Sequence, residues 1–293
     1  MNSIDLKYHI CQLYKKALSS ENKECKAHPV AVVQSVKSII GINPADPLDN
    51  LIEFTSNYLV DFEILKFKEE SNEDIHEVIS FGDFESSLKS KDINKAYESV
   101  NQLSKVSDAK HILEFLLEFS IKYDLECFYN IWSVYKMMLF LGGEDIKDNL
   151  FFCINQIVLE SKHFEFIKLE YKDCNLKDYV YNKSNFRLLM IYYAVLNEDL
   201  VRKNNISKYI KNNIYKTHRF VECDGKFNVF KSQKKEGRKW INHFCKSADN
   251  SLLNCDVLLT LEACRGALKV CSNEDKKVVW HNLNIYLEEN GFK

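Results

Sequence analysis

No proline occurs between Leu48 and Lys293 of this 293-residue chain, and only three occur at all: Pro29, Pro44 and Pro47. Proline stops helices and punctuates loops, and glycine supplies the positive φ angles of tight turns. Glycine is also scarce, at eight residues. A sandwich or barrel of short strands turns every ten residues or so and draws on both. The pattern therefore predicts an all-α fold.

Apolar residues make up 46% of the chain and charged residues 28%, a globular balance rather than a disordered one. Nineteen Phe and fifteen Tyr imply a sizeable core, because each buried ring withdraws a large apolar area from water. The ten cysteines form no Cys-x-x-Cys pair, and several sit in apolar helical patterns, so they read as reduced, buried small hydrophobes. The opening residues MNSIDLKYHI have neither a basic nor an apolar leader region. The longest apolar run, Leu188 to Leu196, is too short for a membrane span. A cytoplasmic protein without a membrane span is expected.

Apolar residues at helical spacing mark Ser3–Leu18 and His28–Ile40. Asp46-Pro47 signals the start of a helix running to about Leu65, since aspartate accepts the first amide protons and proline has none to waste. Residues 66–77 (KFKEESNEDIHE) are acidic and polar and read as an exposed linker. They divide an N-terminal helical segment, 1–65, from a main helical assembly, 78–293, unless the two form one compact domain overall. Further helices are expected at Phe84–Lys89, Asp92–Leu103 and Asp108–Tyr123, the last capped by Ser107. Leu125–Leu141 is apolar nearly all round and should lie at the centre of the fold, stopped by Gly142-Gly143. Asp145 opens the next helix, to about Ser161. Asn185–Leu196 with Leu200–Tyr215, and Leu253–Cys271 with Asn273–Glu289, complete the series. Ser272 and Asp275 form a capping box for the last helix, and Gly291 follows its end.

Four of these pairs look alike, beginning near Pro29, Tyr129, Asn185 and Asp256. Each has an apolar helix, a short polar break and an amphipathic helix, which predicts antiparallel helix pairs, as in helical-hairpin repeats, packed as an irregular stack or bundle. One β element is expected. Asp224-Gly225 lies between two short runs rich in Val and Phe, which predicts a hairpin over 219–230.

Chemistry is harder to find. Glu24/His28 stand four residues apart, and Asp108/His111 and Glu160/His163 three apart, spacings that put both side chains on one helix face. Di-iron carboxylate bundles use the Glu-x-x-His form, so Glu24, His28, His111, Glu160 and His163 are candidate metal ligands. Eight histidines among 42 acids produce each spacing about once by chance. Nucleotide-binding loops, nucleophile elbows, metalloprotease and zinc-finger spacings are absent, so no nucleotide cofactor is indicated and the cofactor is left unknown, with a metal at these histidines still open. Cys264-Arg265 would place a thiol beside a guanidinium, but within an apolar helical run.

The clearest asymmetry is charge. Arg202 to Lys246 holds thirteen Lys and Arg against three Asp and Glu, a net +10 in a chain whose total is −2, so the remainder carries −12. Lys216, Arg219, Lys234, Lys235, Arg238, Lys239 and Trp240 are the candidate contacts for an anion or a nucleic acid, combining charge for phosphates with aromatic faces. A solvated lysine face would share this composition. Three functions follow from the sequence: a helical scaffold or ligand-binding protein whose partner is a protein or small molecule; a helical enzyme with an aromatic-lined pocket, a metal-dependent oxidoreductase if the histidines bind metal; and an anion or nucleic-acid binder.

Overall fold

Asp124 shows how this chain builds its helix pairs. It ends one helix and caps the next, with its carboxylate accepting from the amides of Glu126 (2.9 Å) and Cys127 (3.1 Å). One residue thus satisfies donors that a helix start would otherwise leave open.

The computed structural model describes residues 3–21, 23, 26–65, 80–142, 146–160, 185–217, 227–249 and 251–292. Among these the protein forms fourteen α-helices: α1 (Ser3–Leu18), α2 (Pro29–Ile40), α3 (Asp49–Val60), α4 (Phe81–Lys89), α5 (Ile93–Val106), α6 (Ala109–Tyr123), α7 (Leu125–Leu141), α8 (Ile146–Asn155), α9 (Phe186–Leu196), α10 (Lys203–Thr217), α11 (Lys231–Glu236), α12 (Lys239–Ser247), α13 (Cys255–Val270) and α14 (Asn273–Glu289). A π-helical turn, Gln156–Glu160, extends α8. No described helix is long and apolar enough to cross a membrane.

The all-α expectation holds, and the hairpin is not supported among the described residues. Asp224-Gly225 lies outside the described residues, but the described part of the second arm, residues 227–230, is irregular. No strand occurs among the described residues; the only β pairing there is an isolated antiparallel bridge between Ser20 and Ile64. The predicted linker 66–77 also lies outside them.

The chain divides into two compact units. One gathers Met1–Tyr8, Ser35–Ser56 and Lys168–Lys293, and the other gathers His9–Gln34 and Asn57–Ile167. In the second unit α6 and α7 pack as a hairpin, with α4 against α5 and α8 against α5, α6 and α7. Leu125–Leu141 is central there as expected: Phe128, Ile131, Val134 and Met137 are fully buried. Gly142 ends it at φ 73°, a left-handed angle that an L side chain resists. Some polar groups in this unit pair across helices: Tyr14 donates to Asn149 Oδ1 (2.6 Å), Tyr97 to Asn155 Oδ1 (2.5 Å) and Asn130 to Gln156 Oε1 (2.8 Å).

Some helix starts fall later than the sequence suggested. Asp108, not Ser107, caps α6, accepting from Lys110 N at 2.8 Å, while Ser107 closes α5. Asp46 caps nothing; it pairs with Lys246 at 2.6 Å, and α3 begins at Asp49 and ends at Val60. Asp145 lies outside the described residues, and α8 is described from Ile146. Of the Ser272–Asp275 box one half is present: Ser272 caps α14, with Asp275 N donating to Ser272 Oγ at 3.1 Å, while the Asp275 carboxylate accepts from the Ser272 hydroxyl at 2.7 Å rather than from its backbone amide.

In the first unit α13 packs along α9 and beside α14, and α10 against α9. A Cβ on Gly266 would stand 3.6 Å from that of Ala194, so small residues let α13 and α9 approach closely. The short helices α11 and α12 are held from two sides. Asn50 donates to Cys245 O (3.1 Å) and Asn242 to Ile39 O (3.5 Å). Opposite, Gln233 Nε2 donates to Asn284 Oδ1 (2.6 Å), and Asn284 Nδ2 donates to Asn228 O (3.0 Å). Trp240 stands edge-on to Trp280 at 5.5 Å.

Candidate functional site

The sequence KSQKKEGRK, residues 231–239, holds five cations and one acid. It folds into α11, a sharp turn and the start of α12. The turn is Gly237 at φ 55°, ψ −136°, a conformation that favours glycine. The reversal brings Glu236, Arg238 and Lys239 around one pocket of about 280 Å³, closed by Gly41 and Ile42 beyond the end of α2 and by Arg265 of α13.

Several cations of this chain are neutralised by acids beside them: Lys246 by Asp46, Lys122 by Glu118, Lys89 by Glu85 and Lys26 by Asp61. The 231–239 group is different. Among the described residues, no acidic partner is found for Lys231, Lys234, Lys235, Arg238 or Lys239. The acid in their midst, Glu236, is taken up by His243, whose Nδ1 lies 2.8 Å from Glu236 Oε2. Arg265 gives one nitrogen, Nη2, to the buried carboxylate of Glu262 at 3.0 Å, and its Nε is buried with no acceptor. Helix α12 starts without a side-chain cap. The amide protons of Arg238 and Lys239 find no backbone acceptor among the described residues. The residues that carry these cations, the unsatisfied guanidinium N–H and the open helix-start amides line one cavity, a donor set suited to an oxyanion.

Of the predicted anion contacts, Arg238 and Lys239 line this pocket, while Lys234 and Lys235 are exposed on α11 beside it. Trp240 does not serve as an open stacking face; it is half-buried, stacked on Phe244 at 5.1 Å. Arg219 and the side chain of Lys216 lie outside the described residues. Sequence reasoning missed Arg265 as a pocket residue. Its signal was a lone guanidinium in the otherwise apolar run CDVLLTLEACRGALKV, three residues after an acid that could hold it.

Of the predicted metal ligands, the side chains of His28 and His111 are described. His28 is buried at the start of α2, its Nδ1 accepting from Val30 N (3.2 Å), so that Nε2–H faces Ser20 O at 3.3 Å. Both ring nitrogens are thus engaged by backbone. Burial pulls its pKa down to about 4. His111 is exposed on the first turn of α6, and the carboxylate of Asp108 serves the cap. Glu24, His163 and the side chain of Glu160 lie outside the described residues. No group of three or more potential ligands gathers among the described residues.

The thiol beside the guanidinium is also spoken for. Cys264 is fully buried in α13, and burial pushes its pKa well above the ordinary thiol value, as it does for Cys153. That of Cys245 is pushed up to about 12. The thiolate is the nucleophile, so these three are inert in the native state. Treatment of native protein with iodoacetamide at pH 8 is expected to leave Cys153, Cys245 and Cys264 unmodified, with labelling only in denaturant. Peptide mass spectrometry showing native modification of Cys264 would reinstate it as a reactive group.

Compared with known proteins, the chain matches no family model, no curated protein and no solved structure.

Proposed function

We propose that this protein binds an anionic ligand through a phosphate group seated in the pocket of Arg238, Lys239 and Arg265. The observation that carries this reading is the meeting of three cationic side chains around one cavity while the neighbouring carboxylate, Glu236, is engaged by His243. Charges left without partners in folded proteins are most readily satisfied by water or by a ligand, and a concave site with convergent donors favours the ligand. The pocket, about 280 Å³, suits a phosphate with a small substituent rather than a large apolar molecule.

Inorganic pyrophosphate is the probe. Calorimetric titration of the intact chain is expected to show one saturable site. Arg238→Gln with Lys239→Gln removes two exposed side chains and is expected to leave stability within about 0.5 kcal/mol. Affinity should fall at least about tenfold, because a charge-assisted hydrogen bond contributes roughly 1.5–3 kcal/mol. Equal affinity in wild type and double variant, or no binding by either, would refute the pocket.

A further inference from the structure

The basic group does not stop at the pocket. Lys231, Lys234 and Lys235 are exposed along α11, which rises toward an aromatic residue at its other end. Phe230, at the N-cap of α11, is 45% exposed, unusual for a large hydrophobic side chain. Its backbone is fixed: Phe230 N donates to Gln233 Oε1 at 3.0 Å, and Gln233 is bonded in turn to Asn284 of α14. The ring is therefore presented to solvent from an anchored position. Six residues at about 1.5 Å each separate it from Glu236 at the pocket's edge, a path of about 9 Å studded with lysines. Of the aromatics interleaved with this basic segment, Trp240 is packed against Phe244 and Trp280, and Phe227 stands edge-on to His281 at 5.8 Å. Phe230 is the one of these three classed as exposed.

We infer that the pocket and α11 together form a docking surface for single-stranded nucleic acid, an inference that rests on the phosphate reading of the pocket. One phosphate sits among Arg238, Lys239 and Arg265. Its neighbours along the strand lie against Lys235, Lys234 and Lys231, and an unpaired base stacks on Phe230. Cationic tracks that follow the backbone, joined to aromatic platforms, are how sequence-tolerant single-strand binders work. A duplex is the wrong partner, because its bases are already stacked and its two strands need a broad basic surface. This chain carries a net −12 outside residues 202–246, and that charge repels a long polyanion, confining the footprint to a few nucleotides.

The test uses the full chain and a fluorescent oligodeoxythymidylate of about ten nucleotides, a probe with backbone and bases and little structure of its own, followed by anisotropy. Binding is expected to weaken more than about tenfold between roughly 50 and 200 mM salt, as about three phosphate contacts require. Phe230→Ala should weaken oligonucleotide binding about tenfold and leave pyrophosphate binding unchanged, while Phe230→Tyr retains both. Lys234→Gln with Lys235→Gln should flatten the salt dependence by about 1.4 in logarithmic slope. Equal affinity for a duplex of the same length, or a Phe230→Ala variant that binds the oligonucleotide as wild type does, overturns the inference. So does tripolyphosphate binding more tightly than the oligonucleotide, which would mark a small soluble polyanion as the occupant. Pyrophosphate binding without oligonucleotide binding leaves the pocket standing and this inference fallen; loss of both removes the two together.

Discussion

Replacing Phe128 with alanine is expected to destabilise the protein by about 4 kcal/mol, whereas Leu139→Ala in the same helix costs less than about 1 kcal/mol. Both residues belong to α7, whose sequence LECFYNIWSVYKMMLFL is apolar on almost every side. Phe128 is 0% exposed and Leu139 is 47% exposed. Deleting a fully buried ring forfeits its transfer from water and leaves a cavity that close-packed neighbours fill only in part. Deleting a side chain half in solvent forfeits little of either. Urea denaturation of the two variants, read at constant slope, separates the cases. Similar losses at the two positions would mean that the burial pattern along α7 is wrong, and with it the placement of the second unit's core.

Periodicity cannot make that distinction, and α7 shows how far sequence reading reaches. A helix apolar all round is legible as central, because no face of it is suited to water. Which of its residues escapes burial depends on neighbours hundreds of atoms away in the chain. Caps behave similarly. Ser272 was readable because its hydrogen bond to the Asp275 amide spans only three residues. Asp46 was misread as a helix start because a charge from Lys246, 200 residues on, claimed its carboxylate. The expected hairpin leaned on Asp224-Gly225, a turn signal that says where a chain can reverse but not whether two strands then pair; residues 227–230 instead bond to α14 through Asn228 and Asn284. Of the candidate site, the charge density was visible and the cavity was not. Arg238 and Lys239 stand in the basic segment, but Gly41, Ile42 and Arg265 come from distant stretches and join them only through the tertiary fold.

His28 carries the second large effect. Its spacing from Glu24 suggested a metal ligand, yet its position before Pro29 makes it a cap: its carbonyl accepts from Ala31 and Val32, and its Nδ1 from Val30. The ring is 2% exposed and lies edge-on to Phe152 at 4.9 Å. Protonation would put a second proton on Nδ1, directly against the Val30 N–H, in surroundings that cannot solvate the charge. The folded chain therefore refuses the proton until about pH 4, whereas the unfolded chain accepts it near pH 6.5. A depressed pKa in the folded state means that this contribution to stability is fully present above pH 6.5 and is lost as pH falls from there toward 4. The complete loss is about 3.4 kcal/mol, of which about 2 kcal/mol has gone by pH 5, before most carboxylates titrate. Asparagine keeps a short side-chain acceptor for the first-turn amides and has nothing to protonate. His28→Asn is accordingly expected to flatten the fall in urea midpoint between pH 7.5 and pH 5 relative to wild type, whatever its stability at pH 7.5. Parallel pH profiles for the two proteins would show that the histidine is not the group being charged.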